Sequence, residues 1–415
     1  MWLRGSAAPR YGDPVSDDVL IIGAGMAGVQ TAVELRSQGW RDPITLLGDE
    51  PHPPYDRPPL SKAVLLGAES GEPLDVRFDV DFAALGVELR LGVRAEALHA
   101  EQRQVVTDQG PLPYRHLVLA TGAYAVVLPG TAGLPGVYTL RTLDDAAALR
   151  PVIERRQRVV VVGAGWIGAE FATAARQAGC EVTVVEAADR PLAGVLPTSV
   201  TDHMRGWYEE AGVELRTGQP VAAVEPGAVV LADGSRLSAG AVVVGVGARP
   251  QTGWLAGSGV TLDPQGAVLA DDRLRTTADG VFAVGDCASF PSARYGRRLL
   301  VHHWDNAVQG PRTAAANLLG GDETYDPVPY FWSEQFGRFV QYAGFHSDSD
   351  EMVLRGDPAG AAWSVLWLRG GKLVALLAVG RPRDMAQARK LIARSVTPDP
   401  ALAADPAVPL KAAVR

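Results

Sequence analysis

Cysteine is scarce in this chain of 415 residues, with Cys180 and Cys287 the only two. That count excludes a disulfide framework and leaves too few thiolates for the chain to hold an iron–sulfur cluster of its own. Long apolar runs are also missing. None reaches the roughly 18 residues a membrane-spanning helix needs, so no span is expected. The opening MWLRGSAAPRYGDPVSDD has no apolar stretch of signal-peptide length and is rich in Gly, Pro, Ser and Asp. Residues 1–16 are therefore expected to form a flexible leader, and the protein to stay in the cytoplasm. Positive charge is not in excess either. A formal net charge of -8 excludes a general binder of nucleic acid or anionic membrane. The local exception runs from Trp367 to Ser395, where Arg369, Lys372, Arg381, Arg383, Arg389, Lys390 and Arg394 face Asp384 alone, a surplus of +6.

Glycine, in contrast, is plentiful and organised. DVLIIGAGMAGVQTAVELRSQG places Gly23, Gly25 and Gly28 after an apolar strand, and RVVVVGAGWIGAEFATAARQAG repeats the pattern with Gly163, Gly165 and Gly168. A strand, a G-x-G-x-x-G turn and a small-residue helix make a dinucleotide site, because the glycines let the backbone and the helix N-terminus approach a pyrophosphate. Each helix is followed by a second strand, ITLLGDE or EVTVVEA. The acids ending them, Asp49 and Glu50 in the first and Glu186 in the second, stand 23 to 27 residues after the first glycine of their turn. That is close to the offset of a ribose-binding carboxylate.

Two further apolar strands, YRHLVLATGA (114–123) and GAVVVGVGARP (240–250), end in small residues, as at a chain crossing where one domain interrupts another. A third, TTADGVFAVGDCA, runs into Gly285 and Asp286. Beyond about residue 322 the pattern turns to aromatic-rich alternation, which predicts an antiparallel sheet with a closing helix. The chain reads as three domains, the first of them split.

In order along the chain stand IIGAGMAG, PYDRPPLSK, LATG, VVGAGWIGAE, GVGARP, FAVGDCA, HWDNA, FWSEQ and VPLK. Together these resemble the FAD-dependent, NAD(P)H-using ferredoxin and rubredoxin reductases that feed bacterial monooxygenases and dioxygenases. The resemblance implies an α/β fold with two Rossmann-like, glutathione-reductase-type nucleotide-binding domains and a C-terminal α+β domain. Its division would be an FAD domain (17–123 and 250–321), an NAD domain (124–249) and a C-terminal domain (322–415). It assigns FAD to Gly23, Gly25, Gly28, Asp49, Glu50, Arg57, Lys62, Ala120, Thr121, Gly122, Arg141, Gly285 and the ribityl-binding Asp286, with Trp304 and Trp332 beside the flavin ring. It assigns NADH to Gly163, Gly165, Ile167, Gly168, Glu186, Arg190 and Gly247, with Glu170 meeting the nicotinamide amide. Lys62, Glu170 and Trp332 are the residues expected nearest the chemistry. The chain departs from the family's pattern at Tyr124-Ala125-Val126, where arginines are common, at His302, where glutamate is frequent, and at Gly194, where an arginine often stands.

Relatives of the glutathione-reductase type carry a cysteine pair on the helix after the first glycine turn, and GMAGVQTAVELRSQG has none. A dithiol relay is thereby excluded, and electrons must leave for an external acceptor. A [2Fe–2S] ferredoxin is the expected partner, docking at Arg312, Arg389 and Lys411, while a further basic docking position of the family falls on Gln341. Two other readings share the fold: a diaphorase or oxidase reducing quinone or oxygen directly, and a non-catalytic nucleotide sensor like apoptosis-inducing factor.

Overall fold

Val19–Ile22 and Val159–Val162 are each buried along their whole length, and each is the central strand that delivers a glycine turn. A strand apolar on both faces needs cover on both, as in parallel α/β sheets. Val19 and Ile21 pack with Ala27, Val29 and Leu35, while Leu20 and Ile22 face Leu98, Val105 and Tyr114. The computed structural model describes residues 17–67 and 75–414, and the leader expected over residues 1–16 lies outside them.

The first sheet is parallel, in the order Val281–Ala283, His116–Leu119, Val19–Ile22, Ile44–Gly48 and Val87–Leu91. The second, also parallel, runs Glu214–Arg216, Val182–Val185, Val159–Val162, Ala241–Val244 and Val137–Tyr138. Each unit carries a three-stranded antiparallel ribbon, at residues 95–113 in the first and 221–238 in the second. Where the chain passes between the units, Ala123–Ala125 pairs antiparallel with Ala248–Pro250. The two crossings are thus joined by one short ladder.

The aromatic-rich segment forms an antiparallel five-stranded sheet in the order Tyr330–Gln335, Arg338–Gly344, Lys372–Val379, Trp363–Arg369 and Glu351–Arg355. Its period-2 alternation divides the contacts. Leu366, Leu376 and Ala378 face Met385, Ala388 and Ile392 of helix Pro382–Ala393, whereas Val340, Trp363, Val365 and Leu377 face Val200, Met204 and Trp207 of the second unit. Arg355, 1% exposed, fixes the far end through Asp384 (2.8 Å) and the carbonyls of Ala403 (3.0 Å) and Val408 (2.8 Å). A buried guanidinium with this many acceptors is satisfied; removing Asp384 would leave it uncompensated. Among the described residues, no helix is long and apolar enough to cross a membrane.

Candidate active site

A cavity of about 920 Å³ is lined by both glycine turns at once. Its size falls at the upper end of the range for ligand sites, roughly 300–1,000 Å³. On its wall the fold assembles Gly23, Gly25, Asp49, Glu50, Arg57, Lys62, Ala120, Thr121, Gly122, Arg141 and Asp286 together with Gly163, Gly165, Ile167, Glu170, Glu186 and Gly247, and Trp304 and Trp332 as well. Gly28, Gly168, Gly285 and Arg190 are not on this wall.

The three glycines of each turn answer three different constraints. Gly23 has φ +111° and a Cβ there would sit 2.2 Å from the Ala120 carbonyl; for Gly163 the values are +103° and 2.4 Å from Gly245 O. A Cβ on Gly28 would meet Gly23 O at 1.9 Å, and on Gly168 Gly163 O at 2.1 Å, so these two serve close packing inside the turn. Gly25 has nothing within 4 Å, and a side chain there would enter the cavity itself. The helices that follow, Met26–Ser37 and Trp166–Gln177, have no side-chain cap and no acid in the first turn. By contrast Thr142 and Asp145 close the N-terminus of helix Leu143–Glu154 with a full capping box. Open N–H groups at two uncapped helix ends beside an empty-walled glycine suit an anionic ligand, and a dinucleotide pyrophosphate fits both turns.

The acids at the strand ends are not equivalent. Val159↔Val182 and Val19↔Ile44 set matching registers, so the position of Glu186 corresponds to Gly48, not to Asp49 or Glu50. Glu186 accepts from Ala164 N (2.8 Å) in its own glycine turn and from Ala188 N (2.9 Å). Glu50 is held by Arg57 (2.6 Å) and by the Tyr55 hydroxyl (2.5 Å), whereas Asp49 stands exposed on the cavity wall. Burial pushes the Tyr55 phenol up, so it stays a donor. Arg57, on the cavity wall, donates also to Arg141 O (2.8 Å). Arg190 pairs with Asp189 (2.8 Å).

Asp286 and Arg141, 145 positions apart, form an ion pair at 2.9 Å, with Arg141 also donating to Ala123 O (2.9 Å). Asp286 Oδ1 takes no protein donor among the described residues. It lines the cavity as an acceptor fit for a sugar-chain hydroxyl. Gly285 has φ +72°, and a Cβ there would lie 2.8 Å from Ala27 Cβ, so the turn can rest directly on the first glycine helix.

Lys62 and Glu170 meet at 2.7 Å. Two hydroxyls join them: Ser61 donates to Glu170 Oε2 (2.5 Å) and Ser333 to Oε1 (2.7 Å). Sequence reasoning missed both serines and Tyr55, although PYDRPPLSK and FWSEQ contain them, because neither motif shows where its small hydroxyl points. It also missed His303. This imidazole lies tilted against Phe331 (4.5 Å) on the cavity wall, and burial drives it down to about 4, hence neutral.

Trp304 and Trp332 are edge-to-face at 5.8 Å, and Asp56 accepts from Trp304 Nε1 (2.8 Å). Beyond them Tyr330 lies 6.2 Å from Trp332 and carries the Arg389 guanidinium over its ring at 4.4 Å. Arg389 also approaches Asp305 (3.3 Å), the acid seven residues before the exposed Arg312 on the same helix, Trp304–Leu318. Lys411, exposed, donates its backbone N–H to Gln387 (2.8 Å) on the helix of Arg389. Gln341 is buried and holds the Tyr330 hydroxyl (2.8 Å). The +6 of the sequence is smaller in space, since Asp350 and Asp305, from outside the stretch, pair with Arg369 and Arg389 and leave +4.

Residues 17–310 match the model of the pyridine nucleotide-disulphide oxidoreductases. The chain belongs to that family. Residues 330–414 match the reductase C-terminal model. Among relatives, the ferredoxin–NAD(+) reductase component of the anthranilate 1,2-dioxygenase system of Burkholderia cepacia is 39% identical over 95% of this chain and 99% of its own length. Rhodocoxin reductase of Rhodococcus erythropolis is 38% identical over 95% and 94%. The solved covalent complex of putidaredoxin reductase with putidaredoxin contains a chain 34% identical, with TM-score 0.89 and coverage of 95% and 97%. Within this oxidoreductase family the chain lacks the family's namesake disulphide on the first glycine helix. Cys180 and Cys287 are both buried free thiols, and burial pushes Cys287 up to about 11, away from the reactive thiolate.

Proposed function

We propose that the protein is an NADH-dependent ferredoxin reductase, passing electrons through FAD to a [2Fe–2S] ferredoxin that serves a haem-thiolate monooxygenase or a dioxygenase in the cytoplasm. The observation that carries this reading is the single cavity shared by two glycine turns, with a tryptophan pair in its wall and no dithiol beside it. Residues 17–123 and 250–321 would hold FAD, 124–249 NADH, and 322–415 would close the site.

Bound FAD supplies hydride acceptance in a two-electron step and release of electrons one at a time. The chain's own part is placement. The Met26–Ser37 and Trp166–Gln177 N-termini bind the two pyrophosphates, Asp286 Oδ1 accepts from the ribityl chain, and Asp49 from the adenosine ribose. Glu186 accepts from the nicotinamide nucleotide's ribose, and Glu170 orients its carboxamide. Lys62 places a cation beside the flavin ring, where Trp332 and Trp304 exclude water. No side chain has to gain or lose a proton for hydride transfer.

The exposed Arg312 and Lys411, with Arg389, offer an acidic ferredoxin a basic face near the tryptophans. Anaerobic mixing of the flavin-loaded protein with NADH and a [2Fe–2S] ferredoxin should bleach the ferredoxin's visible absorbance at catalytic rates. Fast NADH consumption with oxygen or quinone, alongside an unreduced ferredoxin, would sink the reading.

A further inference from the structure

Glu170 is 5% exposed, and its carboxylate takes donors from two other parts of the chain, Ser61 and Lys62 on the loop after Tyr55 and Ser333 on strand Tyr330–Gln335. The direction of each hydroxyl is forced. Gln335 Nε2 lies 3.2 Å from Ser333 Oγ and Lys62 Nζ 3.4 Å from Ser61 Oγ. Both nitrogens can only donate, so each hydroxyl accepts there and has its one proton left for Glu170. Oε2 then receives two donors and Oε1 one. A carboxylate oxygen offers about two lone-pair sites, so Oε2 is filled while Oε1 keeps a place.

We propose that Ser333 is a positioning residue of the nicotinamide site, locking Glu170 so that the remaining acceptor site of Oε1 is held ready for the carboxamide N–H of NADH. This rests on the reading of the cavity given above. Ser333 is fully buried and does not line the cavity, whereas Glu170 does, so the serine acts through the carboxylate. Its strand neighbours Phe331 and Trp332 both line the cavity, which fixes the strand that carries it. Without Ser333, Oε1 loses its protein donor and the carboxylate is free to turn about its Oε2 anchors.

The test is a double-mutant cycle on the equilibrium affinity of the oxidised, flavin-loaded protein for NAD+. Ser333→Ala should weaken binding about fivefold and Glu170→Gln about tenfold, typical of one lost hydrogen bond. The double variant should bind no more weakly than Glu170→Gln alone, because the serine has no other route to the ligand. Ser333→Thr, which keeps the hydroxyl, should restore parental affinity. Should Ser333→Ala fail to fold, Gln335→Met releases the hydroxyl's orientation and should weaken NAD+ about threefold. Parental affinity in Ser333→Ala or Gln335→Met, or a double variant showing the product of the two single losses, overturns the proposal. A parent protein that retains neither flavin nor NAD+ would overturn the reading of the cavity instead.

Discussion

The two glycine turns are nearly superimposable in what they demand of the backbone and different in what they do with a carboxylate. Their N-cap glycines differ by only a few degrees, Gly25 at φ -80°, ψ -173° and Gly165 at -77°, -174°. Yet at the register position where the second unit places Glu186 against its own turn, the first has Gly48, whose Cβ would lie 2.8 Å from Ala24 Cβ. A side chain there would require Ala24 to shift. The first unit sets its acids one and two residues later, and one of them is taken up by Arg57 and Tyr55. On the proposed reading, the glycines make a generic pyrophosphate cradle and the residue closing the second strand decides how the ribose is met.

The harshest way to break the pair is through its inner glycines. Gly28→Ala and Gly168→Ala each force a Cβ to about 2 Å from a carbonyl oxygen, overpacking that costs at least 1–3 kcal/mol at the turn itself. If the units hold different cofactors, Gly28→Ala should purify colourless. Gly168→Ala should stay yellow but be reduced by NADH at least 100-fold more slowly, while dithionite still reduces it. Matching phenotypes for the two variants, read by absorbance and stopped flow, would remove the division of labour.

A second difference lies in what each helix packs on. The first rests on helix Trp304–Leu318, at whose start His302 and His303 are half-buried; the second rests on Val64, Leu65 and Tyr208. Burial holds His303 at about 4 when folded against about 6.5 when unfolded, so between these values the unfolded chain binds more protons. The stability present above pH 6.5 is lost as pH falls toward 4, by about 3 kcal/mol in all. His302 acts in the same direction. Urea unfolding at pH 7 and pH 4.5 should show this loss, and His303→Phe, which keeps the ring beside Phe331, should flatten it. An unchanged pH slope in that variant would assign the loss elsewhere.

Legibility in the sequence followed the range of the interactions. The parallel strands and the cradle were readable because a four-residue apolar run and three spaced glycines carry their constraints locally. The pairing of Arg141 with Asp286 was readable only as two separate expectations, since 145 residues separate the partners and the fold alone joins them. Arg57 and Arg389 are expected from the sequence to meet a cofactor and a partner, and the fold sets an acid beside each, Glu50 in one case and Asp305 in the other. Pairing across a fold has no sequence period. Buried serines such as Ser61 and Ser333 leave the weakest trace, because a hydroxyl's role depends on which groups surround it.

The comparison sharpens at the strand ends. Glu186→Ala should lower kcat/KM with NADH roughly ten- to a hundredfold, a loss of about 1–3 kcal/mol, and narrow the preference over NADPH. The preference arises because a carboxylate accepts from ribose hydroxyls and repels a 2′-phosphate. Asp49→Ala, one residue past the corresponding position in the first unit, should leave that preference untouched and only loosen the flavin. Equal or better steady-state kcat/KM with NADPH in the parent protein would end this assignment.

The smallest effect is expected outside both units, at the proposed docking cations Arg312, Arg389 and Lys411. Arg389 has Asp305 beside it and is spread over Tyr330, so its field is partly neutralised, whereas Arg312 and Lys411 are exposed. An acidic partner is steered by what remains, and salt screens that field beyond about 10 Å at 0.1 M. Arg312→Glu with Arg389→Glu should slow ferredoxin reduction about tenfold at low salt, equivalent to about 1.4 kcal/mol, with the gap closing as ionic strength rises. Reversing Arg389 also places a second carboxylate against Asp305, so the single variants should differ: Arg389→Glu should cost melting temperature as well as rate, and Arg312→Glu rate alone. Ordinary surface charges contribute well under about 1 kcal/mol each. Ferredoxin kinetics that match the parent's at every salt concentration would reduce these cations to that background and move the docking face away from the tryptophan wall.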